Sequence, residues 1–209
     1  VFTSGTTESL NMIAEGFFKY LLEPGDEILI TKSEHASNVL PWFRLAKTNN
    51  CIIKYIELDE TLHITMDNVI SAITDRTKVI SIAGITNVVG DIRPINEICK
   101  FAHANNIFVV VDGAQLVPHK HVDVKKSDID FFAFSGHKMC GPTGVGVLYV
   151  KEDGNYFLRV VIDKNGIIDI EDCIKVTRLI DPMLDDIDYI KDSYILDVCS
   201  KEKGCEEDE

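Results

Sequence analysis

Ser135-Gly136-His137-Lys138 closes a run of alternating strand and helix signals, and about twenty-five residues upstream stands Val109-Val110-Val111-Asp112-Gly113-Ala114-Gln115. A primary amine and a carboxylate, each beyond an apolar run, are what an aldehyde cofactor with a basic ring nitrogen requires. Lys138 can form an imine with the aldehyde, and Asp112 can keep the ring nitrogen protonated. Pyridoxal phosphate is the cofactor with those two groups. A lone lysine in a glycine-rich hairpin is ordinarily a surface lysine, and an Asp ahead of a helix is commonly its N-cap. Against the first, Gly136 and Gly141-Pro142-Thr143-Gly144 let the backbone approach closely and turn sharply around Lys138. Against the second, a carboxylate at the edge of an apolar sheet is costly unless paired. Gln115 adds a donor that could reach the ring's phenolic oxygen.

The phosphate has its own candidates. Gly5-Thr6-Thr7-Glu8 lies between a strand end and a helix, where free N–H groups, the helix dipole and threonine hydroxyls meet an anion. The same pattern is also an ordinary capping signal. Ser135 and His137 would complete the cradle, and His35 could stack on the cofactor face. His119 and His121 have the spacing of a metal pair on a strand, but no carboxylate or cysteine accompanies them at a convincing interval. They read as exposed histidines, and no metal site is expected. Trp42 is expected to pack the helix that follows His35.

These residues need a scaffold that gathers distant positions. Strands are expected at Glu27–Thr31, Ile52–Leu58, Val79–Ile85, Phe108–Asp112, Phe131–Ser135 and Val145–Val150, with Val1–Thr3 as the end of another. Helices are expected at Glu8–Leu22, Ala36–Thr48, Met66–Ala72 and Ile95–Asn105. That alternation predicts a three-layer α/β fold with a mostly parallel sheet, and ligands in such sheets sit beyond the carboxyl ends of strands. Thr6, Thr7, His35, Asn87, Asp112, Gln115 and Ser135 to Lys138 all fall there.

The style changes near Asp153. Tyr156–Asp163 alternates as a strand, Lys164-Asn165-Gly166 is a turn, and Asp169 caps a helix carrying Cys173, Val176 and Ile180. Ser193–Cys199 reads as a final strand. The expected organisation is therefore a large domain over 1–152, a small α+β segment over 153–200 and an acidic, disordered tail over 201–209.

At 209 residues, 45% hydrophobic and 26% charged, the composition is that of a globular protein. No apolar run approaches the roughly 20 residues of a membrane helix. Residues 153–209 carry a net charge of −9 and residues 1–152 only −4. The acidic part would repel nucleic acid, so no direct nucleic-acid binding is expected. The six cysteines show no CxxC pair and read as reduced thiols in a cytoplasmic protein. The opening at Val1, without Met or leader, suggests the middle of a longer protein.

Thr3–Glu8, Glu34–Trp42, Thr86–Gly90, Val111–Gln115 and Phe134–Val150 together resemble the class V aminotransferase family, and within it the Suf-type cysteine desulfurases of iron–sulfur cluster assembly. The resemblance covers residues 1–152 and implies the large domain of a fold-type I pyridoxal-phosphate enzyme. By that likeness Lys138 holds the cofactor as an imine and shuttles protons, and Asp112 pairs with the pyridine nitrogen. Gln115 contacts the ring oxygen, and His35 stacks on the ring, so that Lys138 and His35 are the catalytic pair. Thr7, Ser135 and His137 hold the phosphate with Thr6 beside it. Asn87 lies near the ring oxygen and the substrate carboxylate. The reaction implied is transfer of sulfur from L-cysteine, or a related amino acid, to an enzyme thiol, leaving alanine. A homodimer and a sulfur-acceptor protein are the implied partners of the complete enzyme. Other transaminase or lyase activities of the family are the alternative. Where the family often carries His or Gln, three residues before Asn87, this chain has Gly84. The nucleophilic cysteine and the carboxylate-gripping arginine belong to a C-terminal domain outside the matched stretch.

Tyr156–Lys164, Asp172–Arg178 and Ser193–Val198 resemble instead part of the N-terminal domain of the ribosome maturation factor RimP, over about residues 150–200. This likeness implies a module for small-subunit maturation, fused to the first part. The join is expected at Tyr149-Val150-Lys151-Glu152, as a gene fusion or an assembly join between two truncated halves.

Overall fold

The computed structural model describes residues 1–151, 156–162, 171–172, 174–179 and 194–200. The chain divides into two compact units, Val1–Val150 and Lys151–Glu209.

The first unit is built on a seven-stranded sheet. Its strands are β1 (Phe2–Thr3), β2 (Glu27–Thr31), β3 (Ile52–Ile56), β4 (Thr77–Ala83), β5 (Phe108–Asp112), β6 (Phe131–Ser135) and β7 (Gly146–Val150). They run in the order β1-β7-β6-β5-β4-β2-β3. The five strands from β6 to β3 are mutually parallel, and only β7 and β1 run antiparallel to their neighbours. A parallel sheet must be covered on both faces, and the strand residues sort accordingly. Val109 and Val111 lie in one apolar cluster and Val110 in the other; Leu29 opposes Ile28 and Ile30 in the same way.

The first face is covered by α4 (Met66–Ala72) and α5 (Ile95–Ala104), which contribute Val69, Ile98, Cys99 and Ala102. The second is covered by α1 (Thr6–Met12), its π-helical continuation Ile13–Phe18, a last turn α2 (Lys19–Leu21), and α3 (Leu40–Asn49). The wider π turn brings the consecutive Phe17 and Phe18 both onto Phe131, with ring centroids 5.0 and 5.4 Å apart. Trp42 on α3 is fully buried beside Phe18, at 5.5 Å. The result is the expected three-layer α/β arrangement.

Several expected boundaries shift, each for a local reason. β4 starts at Thr77 and stops at Ala83: Gly84 N–H makes the last ladder bond, to Asp112 O, but Gly84 O accepts from Arg93 N–H and the chain bends so that Ile85 pairs Ile92. The expected helix over 36–48 is a 3-10 turn, Ala36–Asn38, followed by α3 with Pro41 in its first turn. A short helix α6 (Leu116–His119) follows Asp112 and was not expected. It places His119 at a helix end and His121 in the following loop, both exposed, so neither lies on a strand. Among the described residues no group of three or more His, Cys, Asp or Glu could hold a metal ion.

In the second unit β8 (Tyr156–Ile162) and β9 (Tyr194–Ser200) pair in parallel along their whole length. Helical residues 171–172 and 174–179 fall between them in sequence. Asp169, Cys173, Ile180, the turn at 164–166 and the tail at 201–209 lie outside the described residues. No described helix is long and apolar enough to cross a membrane.

Candidate functional site

Beyond the carboxyl ends of β2, β4, β5 and β6 lies a cavity of about 290 Å³. All nine residues singled out from the sequence line it. Thr6 and Thr7 come from the first turn of α1, His35 from the segment after β2, and Asn87 from the loop after β4. Asp112 ends β5 and Gln115 follows it. Ser135 ends β6, and His137 and Lys138 stand on the 3-10 turn Gly136–Met139. Ser37, Ala83, Ile85 and Ala114 complete the lining and were not anticipated.

Close backbone packing sets this geometry. The Gly136 N–H donates to Val145 O at 2.8 Å, and Gly141 N–H to Gly136 O at 2.8 Å, which folds the lysine-bearing turn back on β7. A Cβ on Gly146 would come within 2.4 Å of Gly5 Cα, so only glycine lets β7 pass the start of α1. Ser135 completes the junction. Its hydroxyl accepts from Thr6 N–H at 2.8 Å and shares a 2.7 Å bond with the Thr6 hydroxyl. Thr6 and Ser135 are thus bonded to each other, and both are buried.

A second chain of bonds crosses the cavity mouth. The Thr7 hydroxyl lies 2.8 Å from the Ser37 hydroxyl, which lies 3.0 Å from His35 Nδ1. Ser37 N–H donates to the same Nδ1 at 3.2 Å. Because that nitrogen accepts, the ring proton sits on Nε2.

Asp112 is 5% exposed. One carboxylate oxygen accepts from Ala114 N–H at 2.9 Å, within the loop, and the N-cap of α6 is Gln115. Asp112 therefore does not cap that helix. Burial pushes its carboxyl above the usual carboxylate range, and the Ala114 bond and the charge of Lys138 oppose this. The amine and the acid thus act on one another across one cavity. Among the described residues, the side chains of Lys138, Asn87 and Gln115 line the cavity without a hydrogen bond to another protein group.

Behind the cavity lie residues the sequence reading passed over. Glu34 is bonded to Thr31, Asn38 and Ala83. Arg93, whose side chain is fully enclosed, stands 2.8 Å from Asp91, and Asp91 also binds His63. The signal available was a glutamate directly before His35 and an Asp-x-Arg pair in an apolar stretch.

The model of the aminotransferase class V family matches residues 1–162. The chain belongs to that family. A probable cysteine desulfurase of Halalkalibacterium halodurans is 44% identical over 152 residues, covering 73% of this chain and 37% of the relative. One from Borreliella burgdorferi is 47% identical over 155 residues, covering 73% and 36%. Among solved structures, the Escherichia coli cysteine desulfurase CsdA superposes with a TM-score of 0.70 at 40% identity, covering 72% of this chain and 38% of the other. The apo cysteine desulfurase of Thermococcus onnurineus gives 0.69 at 40% identity, covering 73% and 38%. The chain thus spans a little over a third of the length of each of these relatives. Residues 140–201 match the model of the RimP N-terminal domain.

Proposed function

We propose that the first unit is the cofactor site of a pyridoxal-phosphate-dependent cysteine desulfurase. The observation that carries this reading is the convergence of nine side chains from five separate segments on one cavity, with a buried acid and a free amine in the same lining. The lining fits the group. Hydroxyls of Thr7 and Ser135 and the His137 ring suit a phosphate, the His35 ring in the same lining would suit an aromatic face, and an unpaired amine suits an aldehyde. When bound, pyridoxal phosphate supplies an electron sink for a substrate amino acid. Asp112 would hold the proton on the ring nitrogen, Gln115 and Asn87 would orient the ring oxygen, and Lys138 Nζ would accept and return protons. L-cysteine is the proposed substrate, with sulfur passing to a thiol and then to an acceptor protein. Cys51 is half-buried, Cys99 buried and Cys140 exposed on the turn after Lys138, and none of these three lines the cavity. The receiving thiol is proposed to lie outside these three, and a homodimer in the cytoplasm is the expected setting.

Adding pyridoxal phosphate to the purified chain should give a visible absorption band that Lys138→Ala abolishes. A band unchanged by that substitution, or none at all, refutes the proposal. Product assays for sulfide, pyruvate and transamination, run with an added thiol, separate a desulfurase from the other activities of the family.

The family match over residues 140–201 supports a second reading for the second unit: a module that binds a protein of the small ribosomal subunit. Its net charge of −9 over residues 153–209 favours a protein partner over RNA. Co-purification of small-subunit components with the chain supports it, and loss of that co-purification on deleting 153–209 assigns it.

A further inference from the structure

Glu34 precedes His35, yet it does not line the cavity. Its carboxylate is taken up by three donors. Oε1 accepts from the Thr31 hydroxyl at 2.8 Å, and Oε2 accepts from the Asn38 amide and from Ala83 N–H, each at 2.8 Å. Thr31 ends β2, Ala83 ends β4 opposite Asp112, and Asn38 closes the turn Ala36–Asn38. One side chain therefore fastens both ends of the His35 segment to two neighbouring strands.

The fastening is itself braced. Asn38 is fully buried, and its Oδ1 accepts from the Ser81 hydroxyl at 2.6 Å and Trp42 Nε1 at 3.3 Å. On the other side Arg93 donates to Ser33 Oγ at 2.6 Å, so the residue before Glu34 is also held. His35, by contrast, has its recorded side-chain bonds to Ser37 alone. Its height over the cavity is set by its backbone, and its backbone is set by Glu34.

We infer that Glu34 is a positioning residue: its three bonds fix the His35 turn so that the imidazole meets the cofactor ring. This rests on the pyridoxal-phosphate reading of the cavity. Glutamine can keep all three bonds, its amide oxygen accepting from Asn38 and Ala83 and its NH₂ donating to Thr31. Alanine keeps none.

The test is a binding cycle on the full chain, titrated with pyridoxal phosphate and followed by absorbance and by the induced circular dichroism of the bound group. Trp42 fluorescence during urea unfolding checks the fold of each variant. Glu34→Ala should weaken binding at least about tenfold, Glu34→Gln by no more than about threefold, and His35→Ala by about as much as Glu34→Ala. The double variant Glu34→Ala/His35→Ala should bind no more weakly than His35→Ala, because Glu34 acts through His35. Should Glu34→Ala not fold, Glu34→Asp, one methylene short of Ala83, takes its place in the same cycle. Losses that multiply in the double variant, or a Glu34→Gln as weak as Glu34→Ala, overturn the inference alone. Absence of saturable binding by the wild-type chain overturns the cofactor reading, and this inference with it.

Discussion

Adding one methyl group at Gly113 perturbs the site at the point where β5 leaves the sheet. Gly113 N–H donates to Ala133 O at 2.8 Å, so its backbone is held against β6. A Cβ there would lie 2.2 Å from Phe132 Cζ and 2.6 Å from Cε2, both well inside ordinary contact. Phe132 is 2% exposed and packed in the first-face core, so its ring has little room to retreat. Overpacking of this kind costs about 1–3 kcal/mol, and the smaller entropy of an unfolded Ala returns about 0.4–1 kcal/mol. Gly113→Ala should therefore lose about 1–2 kcal/mol in urea unfolding, followed at Trp42, the single tryptophan. The sharper expectation is a change of sign. Phe132→Leu alone should destabilise by about 1 kcal/mol through lost packing, but in the Gly113→Ala background it should stabilise by making space. Equal destabilisation by Phe132→Leu in both backgrounds refutes the steric reasoning. So does a Gly113→Ala chain as stable as wild type.

Ser135→Ala leaves the buried Thr6 N–H without its 2.8 Å acceptor, and should cost about 1–3 kcal/mol in the same assay. Thr6→Val loses only the hydroxyl pair and should cost about 1 kcal/mol. Burial raises Asp112 above its ordinary value of 3.8, so the folded chain binds its proton more tightly than the unfolded one. Its contribution is favourable at low pH and is lost as pH climbs from about that value through the folded one. Asp112→Asn should accordingly gain stability relative to wild type between pH 4 and pH 7, while weakening pyridoxal-phosphate binding; unfolding curves across that range check the sign. The hydrogen bond and charge of Asp91 raise His63 above its ordinary value. Stability from this pair is full below the unfolded His value and lost as pH rises through the folded one. The melting-temperature difference between wild type and His63→Ala should therefore be larger at pH 6 than at pH 9.

The strand–helix alternation was legible because a parallel sheet covered on both faces demands uninterrupted apolar runs. Glu27–Thr31, Phe108–Asp112 and Phe131–Ser135 are such runs, and their expected bounds coincide with those of β2, β5 and β6. Their carboxyl ends are also where the polar residues stand, so the lining could be read without coordinates. Less visible were features that depend on pairing between distant segments. The end of β4 is set by Arg93 N–H taking Gly84 O and by Ile85 pairing Ile92, and nothing local in Ile82–Ile85 announces it. Glu34 and Arg93 escaped for a related reason: in sequence they look like solvated charges, and only the approach of Ala83, Asn38 and Ser33 encloses them. Ser37 was missed because its role is to hold His35 and Thr7, not to bear chemistry itself.

The two family matches overlap over residues 140–162, and the pairing of β7 decides what part of that overlap the first unit owns. Every residue of Gly146–Val150 has a partner on β6, and Gly146 and Val147 also pair with β1. Leu148 exchanges backbone bonds with Val1, at 2.7 and 2.9 Å, and its side chain is buried in the core beneath α1. A strand bonded along both edges cannot be surrendered without leaving buried N–H and C=O groups unpaired on its neighbours. The cost would reach the site directly, because Gly136 N–H leans on Val145 and Ser135 pairs Gly146 at the base of the lysine-bearing turn. Residues up to Val150 are therefore structural members of the aminotransferase unit, whatever second family they also resemble. The division between the two compact units falls at the same place, between Val150 and Lys151.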